Sequence, residues 1–152
     1  LTQTPAGEFV DDGHCFACGR KNELGLQMRF REEPGRVVCG VILPPWLQGW
    51  RGIAHGGAVS LLLDEAMAHA IGHTGFLAAT ASMSLRFRQP VPVGERVTVR
   101  ARVIEQRLGA ASAEAEVLNA QGEPLASAEA KFMIVGRLAP GAKLGDEADG
   151  RG

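Results

Sequence analysis

The spacing of hydrophobic and polar residues changes twice along this chain. Two extended runs come first, Leu24 to Arg31 and Arg36 to Leu43, with Glu33-Pro34-Gly35 between them. A Pro-Gly pair between such runs is a turn signal, so the two read as a β-hairpin that Pro44-Pro45 closes. Residues 46–54 hold both tryptophans, are punctuated by glycine, and read as a loop. From about Gly57 to Ile71 the period becomes helical, with Val59, Leu62, Leu63, Ala66 and Ala70 in one stripe. Leu61, Met67, Ala68 and Ile71 carry apolar surface around much of the cylinder, and a helix of that kind is buried on most sides. Its polar exceptions are Ser60, Asp64, Glu65 and His69.

After Gly72 and Gly75 the chain alternates with period two. Ala81, Met83, Leu85 and Phe87 oppose Ser82, Ser84, Arg86 and Arg88. Three further stretches repeat the pattern around 97–103, 113–117 and 126–134, with turns at 108–110 and 119–122. Alternation with one wet face predicts an antiparallel sheet. The expectation is an α+β domain: two strands, one buried helix, then four strands in a meander, making a six-stranded sheet curled around the helix. Residues 14–136 form that domain, with loose segments expected at 1–13 and 137–152.

Composition then narrows the function. The chain has 152 residues, 45% hydrophobic and 22% charged, which suits one packed domain. A net charge of −1 argues against a general nucleic-acid binder, and 5% aromatics with no Tyr leave little for base stacking. Apolar stretches fall far short of the roughly 20 residues of a membrane span. Residues 1–12 lack a signal-peptide pattern, so no membrane partner and a cytoplasmic location are expected. Thirteen Arg stand against three Lys. Arginine is the better fork for phosphate, although genome composition produces the same bias.

The segment richest in chemistry runs from His55 to Ala66. Gly56 and Gly57 open the helix, where backbone N–H groups have no intrahelical partner and the macrodipole is positive. That is a place for a carbonyl oxygen or oxyanion, and glycine lets a substrate approach the backbone. A tight loop-to-helix turn is the competing explanation. Asp64 is a carboxylate on a mostly apolar helix, costly unless paired or lining a wet cavity. An ion pair with a strand arginine such as Arg86 is the alternative, and Glu65 reads as a solvated or interface charge. His55 and Asp64 stand nine residues apart, roughly 13 Å along a helix. If they form one site, a second copy of the chain must supply one of them.

His55-Gly-Gly-x6-Asp64-x-Ala66 resembles the hotdog-fold acyl-CoA thioesterases, specifically their phenylacetate-type (PaaI-like) branch. The strand ending at Gln89-Pro90-Val91 and the closing Ala-rich strand are similar too, and Cys15-Phe-Ala-Cys18-Gly19-x2-Asn22-x2-Gly25-Leu26 is similar to the opening of many members of that superfamily. The resemblance implies that the Gly57 N–H holds a thioester carbonyl, with Gly56 and His55 shaping the turn. Asp64 of a partner subunit would be the general base or the nucleophile. Counting back from Pro90 places the polar residue before the third strand at Thr80, with Ser82 as the nearby alternative. The Asn that some relatives carry upstream falls on Gly49, with Gln48 adjacent. A thioester is already reactive, so a carboxylate and an N–H donor suffice, with no separate cofactor and no metal.

The implied substrate is an acyl- or aryl-CoA, and the implied assembly a homodimer that pairs into a homotetramer. Arg86 and Arg88 would serve the CoA phosphates, unless they, Arg100 and Arg102 pair with Glu114, Glu116 and Glu129 across the sheet. A non-catalytic acyl-CoA binder and a hotdog dehydratase or hydratase are the other readings. His14-Cys15-x2-Cys18 is half of a zinc pattern, and without a second pair it reads as a structured loop. His69 and His73 read as partners of the helix dipole, and Cys39 as core.

Overall fold

The computed structural model describes residues 9–145. Its elements are strands β1 (Arg31–Glu33) and β2 (Arg36–Ile42), a 3-10 turn over Pro45–Leu47, strands β3 (Gln48–Trp50) and β4 (Ile53–Ala54), and helix α1 (Gly56–Gly72). Four long strands follow: β5 (Phe76–Phe87), β6 (Arg96–Arg107), β7 (Ala110–Leu118) and β8 (Pro124–Arg137). Six strands form one antiparallel sheet in the order β1-β2-β6-β7-β8-β5, packed against the single helix, as expected of an α+β hotdog fold. No helix among the described residues is long and apolar enough to cross a membrane.

The helix starts and stops within one residue of its expected bounds. Val59, Leu62, Leu63, Met67 and Ile71 are at most 2% exposed, and burial of each such side chain contributes about 1.5–3 kcal/mol. The sheet meets them with rows of small residues. Ala101, Ala115 and Ala128 stand side by side on β6, β7 and β8, as Ala113 and Ala130 do one pleat along. Alanine keeps the sheet surface low, so the helix supplies the volume that fills the core to close packing.

Three expectations need correction. The strand expected from Leu24 begins only at Arg31. Gln27 adopts a left-handed conformation, φ 52°, which breaks an extended run. The backbone of Leu26 and Met28 bonds instead to Phe16 and Ala17. The tryptophan loop folds into a small hairpin, β3 against β4. The last four strands are not a simple meander: β6, β7 and β8 follow one another, but β5 lies at the far edge against β8. Pro90 and Pro92 prevent a tight turn after β5, and the link to β6 is pinned to β4 by the Ala54 N–H to Val91 O bond at 2.8 Å.

Where they are described, the segments flanking the domain make contacts with it. Leu138 N–H bonds to Gly75 O, and Leu144 packs on Gly72 at the end of α1. Asp11 accepts the Gly145 N–H at 2.7 Å. Residues 1–8 and 146–152 lie outside the described residues.

Candidate active site

The N-terminus of α1 is built by the residues before it. His55 is the N-cap, extended at φ −60° and ψ 141°, and its Nδ1 accepts the Gly57 N–H at 2.9 Å. A neutral ring accepting at Nδ1 carries its proton on Nε2, so His55 presents an N–H outward. Neither Gly56 nor Gly57 has a positive φ, so the turn itself does not require glycine. A β-carbon on Gly56 would meet only Phe87, at 3.6 Å, whereas one on Gly57 would stand 3.1 Å from His55 Nδ1. The glycines leave space above the helix end, and His55, Gly56 and Gly57 are all exposed.

Asp64 lies two turns further along α1, on the side facing the edge strand. It has no ion pair with Arg86; its Oδ1 accepts the Thr80 hydroxyl at 2.6 Å. Thr80 reaches it because β5 bulges between Thr80 and Ser82. Thr80 pairs with the buried Phe132 on the helix side, whereas Ser82 pairs with the exposed Lys131. The bulge thus turns Ser82 to the outer face, away from the carboxylate.

The remaining candidates sit elsewhere. Gln48 folds over its own hairpin, Oε1 accepting the Gly52 N–H at 3.2 Å. Gly49 lies directly beneath His55, where a β-carbon would approach His55 Cα to 3.2 Å, so a side chain at this position would press on the N-cap. Arg86 and Arg88 line an open groove of about 620 Å³ on the outer sheet face and form no ion pair among the described residues. Their neighbours Arg100 and Arg102 do, with Glu116 and Glu114 across the β6–β7 ladder.

Glu65 is the residue the sequence places wrongly. It is not solvated: only 14% of its side chain is exposed, and it faces the N-terminal loop. His69, one turn on, is buried, stacks on Phe30 at 4.3 Å between ring centres, and holds Nε2 3.2 Å from Glu65 Oε1. Cys15 Sγ lies 3.9 Å from both Glu65 carboxylate oxygens. Burial raises the Glu65 carboxyl, but the His69 imidazole and the thiols of Cys18 and Cys15 outweigh it, so the net shift is downward. His73 caps the helix end with Nδ1 at 2.9 Å from His69 O, and Cys39 is core.

Residues 51–126, half of the chain, match the family model of the thioesterase superfamily (4HBT). The chain belongs to the thioesterase superfamily. Among curated members it is 29% identical over 98 residues to bovine acyl-coenzyme A thioesterase THEM4, a match spanning 63% of this chain and 40% of that one. The chain therefore spans less than half the length of that relative. To the acyl-coenzyme A thioesterase PaaI of Escherichia coli it is 27% identical over 120 residues, 79% of this chain and 84% of PaaI. The crystal structure of RHA08564, a thioesterase superfamily protein, aligns with a TM-score of 0.76 at 25% identity, covering 85% of this chain and 68% of that one. The family match takes in the helix N-terminus, Asp64 and Thr80 together, so the hotdog fold and the PaaI-like resemblance hold for the part of the chain that carries the candidate residues.

Proposed function

We propose that this chain is an acyl-CoA thioesterase, hydrolysing an acyl- or aryl-CoA thioester to the free acid and CoA. The observation that carries the reading is the Asp64 carboxylate held by the Thr80 hydroxyl on the open side of a helix whose first turn is His55-Gly56-Gly57. In the free chain His55 Nδ1 holds the Gly57 N–H. A thioester carbonyl takes over that N–H, and charge developing on its oxygen is stabilised by the helix end. Asp64 either takes a proton from the attacking water or attacks the carbonyl carbon itself. In the first course the tetrahedral intermediate expels the CoA thiolate, which takes up the proton, and leaves the acid. In the second the thiolate departs from an acyl–Asp64 anhydride, which water then hydrolyses to the acid and the free carboxylate. Neither course needs a cofactor beyond the CoA carried by the substrate.

Gly57 and Asp64 of one chain stand seven residues apart, roughly 10 Å along the helix, too far for one carbonyl. The reading therefore includes a homodimer, in which each site takes Gly57 from one chain and Asp64 from the other. In support, β5 is a twelve-residue edge strand, paired on one side only, and it carries Thr80. Long unpaired edges invite pairing with another chain. Arg86 and Arg88, free of carboxylate partners among the described residues, are proposed to meet the CoA phosphates.

Thiol release from a panel of acyl- and aryl-CoA thioesters tests the reading, with Asp64→Asn beside the wild type. The variant should fold normally and lose about 10²- to 10⁴-fold in kcat. Unchanged kcat would overturn the role of Asp64, and saturable CoA binding without thiol release would make the protein a binder.

A further inference from the structure

The cluster between the N-terminal loop and the buried side of α1 takes no part in that chemistry. Among the described residues, Cys15 Sγ, Cys18 Sγ and a Glu65 carboxylate oxygen all lie within 4.8 Å of one another. Donor atoms around one tetrahedral zinc-class ion, with metal–ligand bonds of about 2.0–2.3 Å, stand at comparable separations. Beside them His69 Nε2 is buried, 3.2 Å from Glu65 Oε1, and makes no hydrogen bond among the described residues. A buried imidazole nitrogen left in that state calls for an explanation.

The loop is shaped to present its sulfurs. Cys15, Cys18 and Gly19 form a tight turn in which Gly19 N–H bonds to Cys15 O at 2.7 Å. A β-carbon at Gly19 would collide with the backbone of Cys15 and Gly13, so only glycine closes it. The turn is buttressed by Gln27, whose amide donates to Gly19 O at 2.8 Å and to Asn22 O at 2.6 Å, and by Gly145, packed on Cys18. His14 takes no part: its ring turns to Asp12 at 3.4 Å.

We infer a binding site for one divalent cation of the zinc class, with Cys15, Cys18 and Glu65 as ligands; His69 Nε2, beside Glu65 but outside that 4.8 Å set, turns in as the fourth donor when the ion binds. Two thiolates with a carboxylate and an imidazole select zinc over calcium or magnesium, which prefer all-oxygen sets. Four protein donors leave no open position, which makes the site structural rather than catalytic. The ion ties the N-terminal loop to α1 at the residue next to Asp64. Zinc binds thiols as thiolates, so uptake displaces the protons they carry.

The test uses the full chain, purified under reducing conditions without chelator, with metal content measured by mass spectrometry. One zinc per chain is expected. Chelator-stripped protein is then titrated with Co²⁺, which should give thiolate-to-cobalt charge-transfer absorption and the intense visible bands of a tetrahedral ion, both displaced by Zn²⁺. Charge transfer should fall in Cys15→Ser and in Cys18→Ser and vanish in the double variant. Glu65→Gln and His69→Ala should each weaken Co²⁺ binding by about 10- to 100-fold. Stripped wild-type protein that is folded by circular dichroism yet gives no charge-transfer band overturns the site. So does a band that survives the double variant, and unchanged affinity in His69→Ala removes His69 from the ligand set. None of these readouts depends on hydrolysis, so the site and the proposed activity fail separately.

Discussion

Thr80 and Asp64 meet through a single hydrogen bond of 2.6 Å, and a bond to an ionised group contributes about 1.5–3 kcal/mol. If that bond orients the reacting carboxylate, Thr80→Val should lower kcat by about ten- to a hundredfold with little change in KM, and lower the melting temperature by several degrees. Steady-state kinetics beside a thermal melt reads both. The two glycines should behave differently from each other. Gly56→Ala adds a methyl that touches only Phe87 at 3.6 Å, so stability should hold within about 0.5 kcal/mol while KM rises where substrate needs that space. Gly57→Ala presses on His55 and should cost about 0.5–2 kcal/mol through the damaged cap, together with activity. Cys15 offers a pH test. In chelator-stripped protein its alkylation by iodoacetamide should rise as pH passes upward through about 6, because the thiolate is the nucleophile. Cys18, buried and pushed up, should stay unmodified over the same range, as peptide mass spectrometry will show.

At the scale of elements, α1 holds the sheet together, and Leu63 at its centre is fully buried. Leu63→Ala should cost about 2–5 kcal/mol, read from denaturant midpoints at constant slope. That helix was legible because seventeen residues of 3.6 periodicity leave little else to be. The strands were legible as strands because β6, β7 and β8 alternate cleanly, but period two says which face a residue occupies, not which strand lies beside it. That is why the edge position of β5 escaped the pattern, although Pro90 and Pro92 marked where a tight hairpin could not form. The site divides in the same way. His55, Gly57 and Asp64 share one short segment and could be read together, and Thr80 was reachable by counting from Pro90. Glu65 could not be placed, because its partners Cys15 and Cys18 lie about fifty residues away and meet it only when the N-terminal loop closes on α1. Gln27 holds that loop by a left-handed backbone that no composition signals.

For the molecule as a whole, the spacing of Gly57 and Asp64 along one rigid helix is the constraint that matters. A helix of seventeen residues cannot bend its first turn onto its third, so the proposed site needs either a second chain or a different pair of residues. Complementation separates these. Gly57→Ala and Asp64→Ala chains, each inactive alone, are unfolded together and refolded as a mixture. In a heterodimer one site draws Gly57 from the Asp64→Ala chain and Asp64 from the Gly57→Ala chain, and is intact, while the other carries both defects. Random pairing makes half the dimers mixed, and each mixed dimer has one intact site of its two, so activity should recover to about a quarter of wild type in a two-fold dimer. Sites built within single chains would leave the mixture as inactive as its parts. Recovery at that level, lost again when Thr80→Val is added to the Gly57→Ala chain but much less affected when it is added to the other, would also show that Thr80 and its bonded Asp64 act from the same subunit.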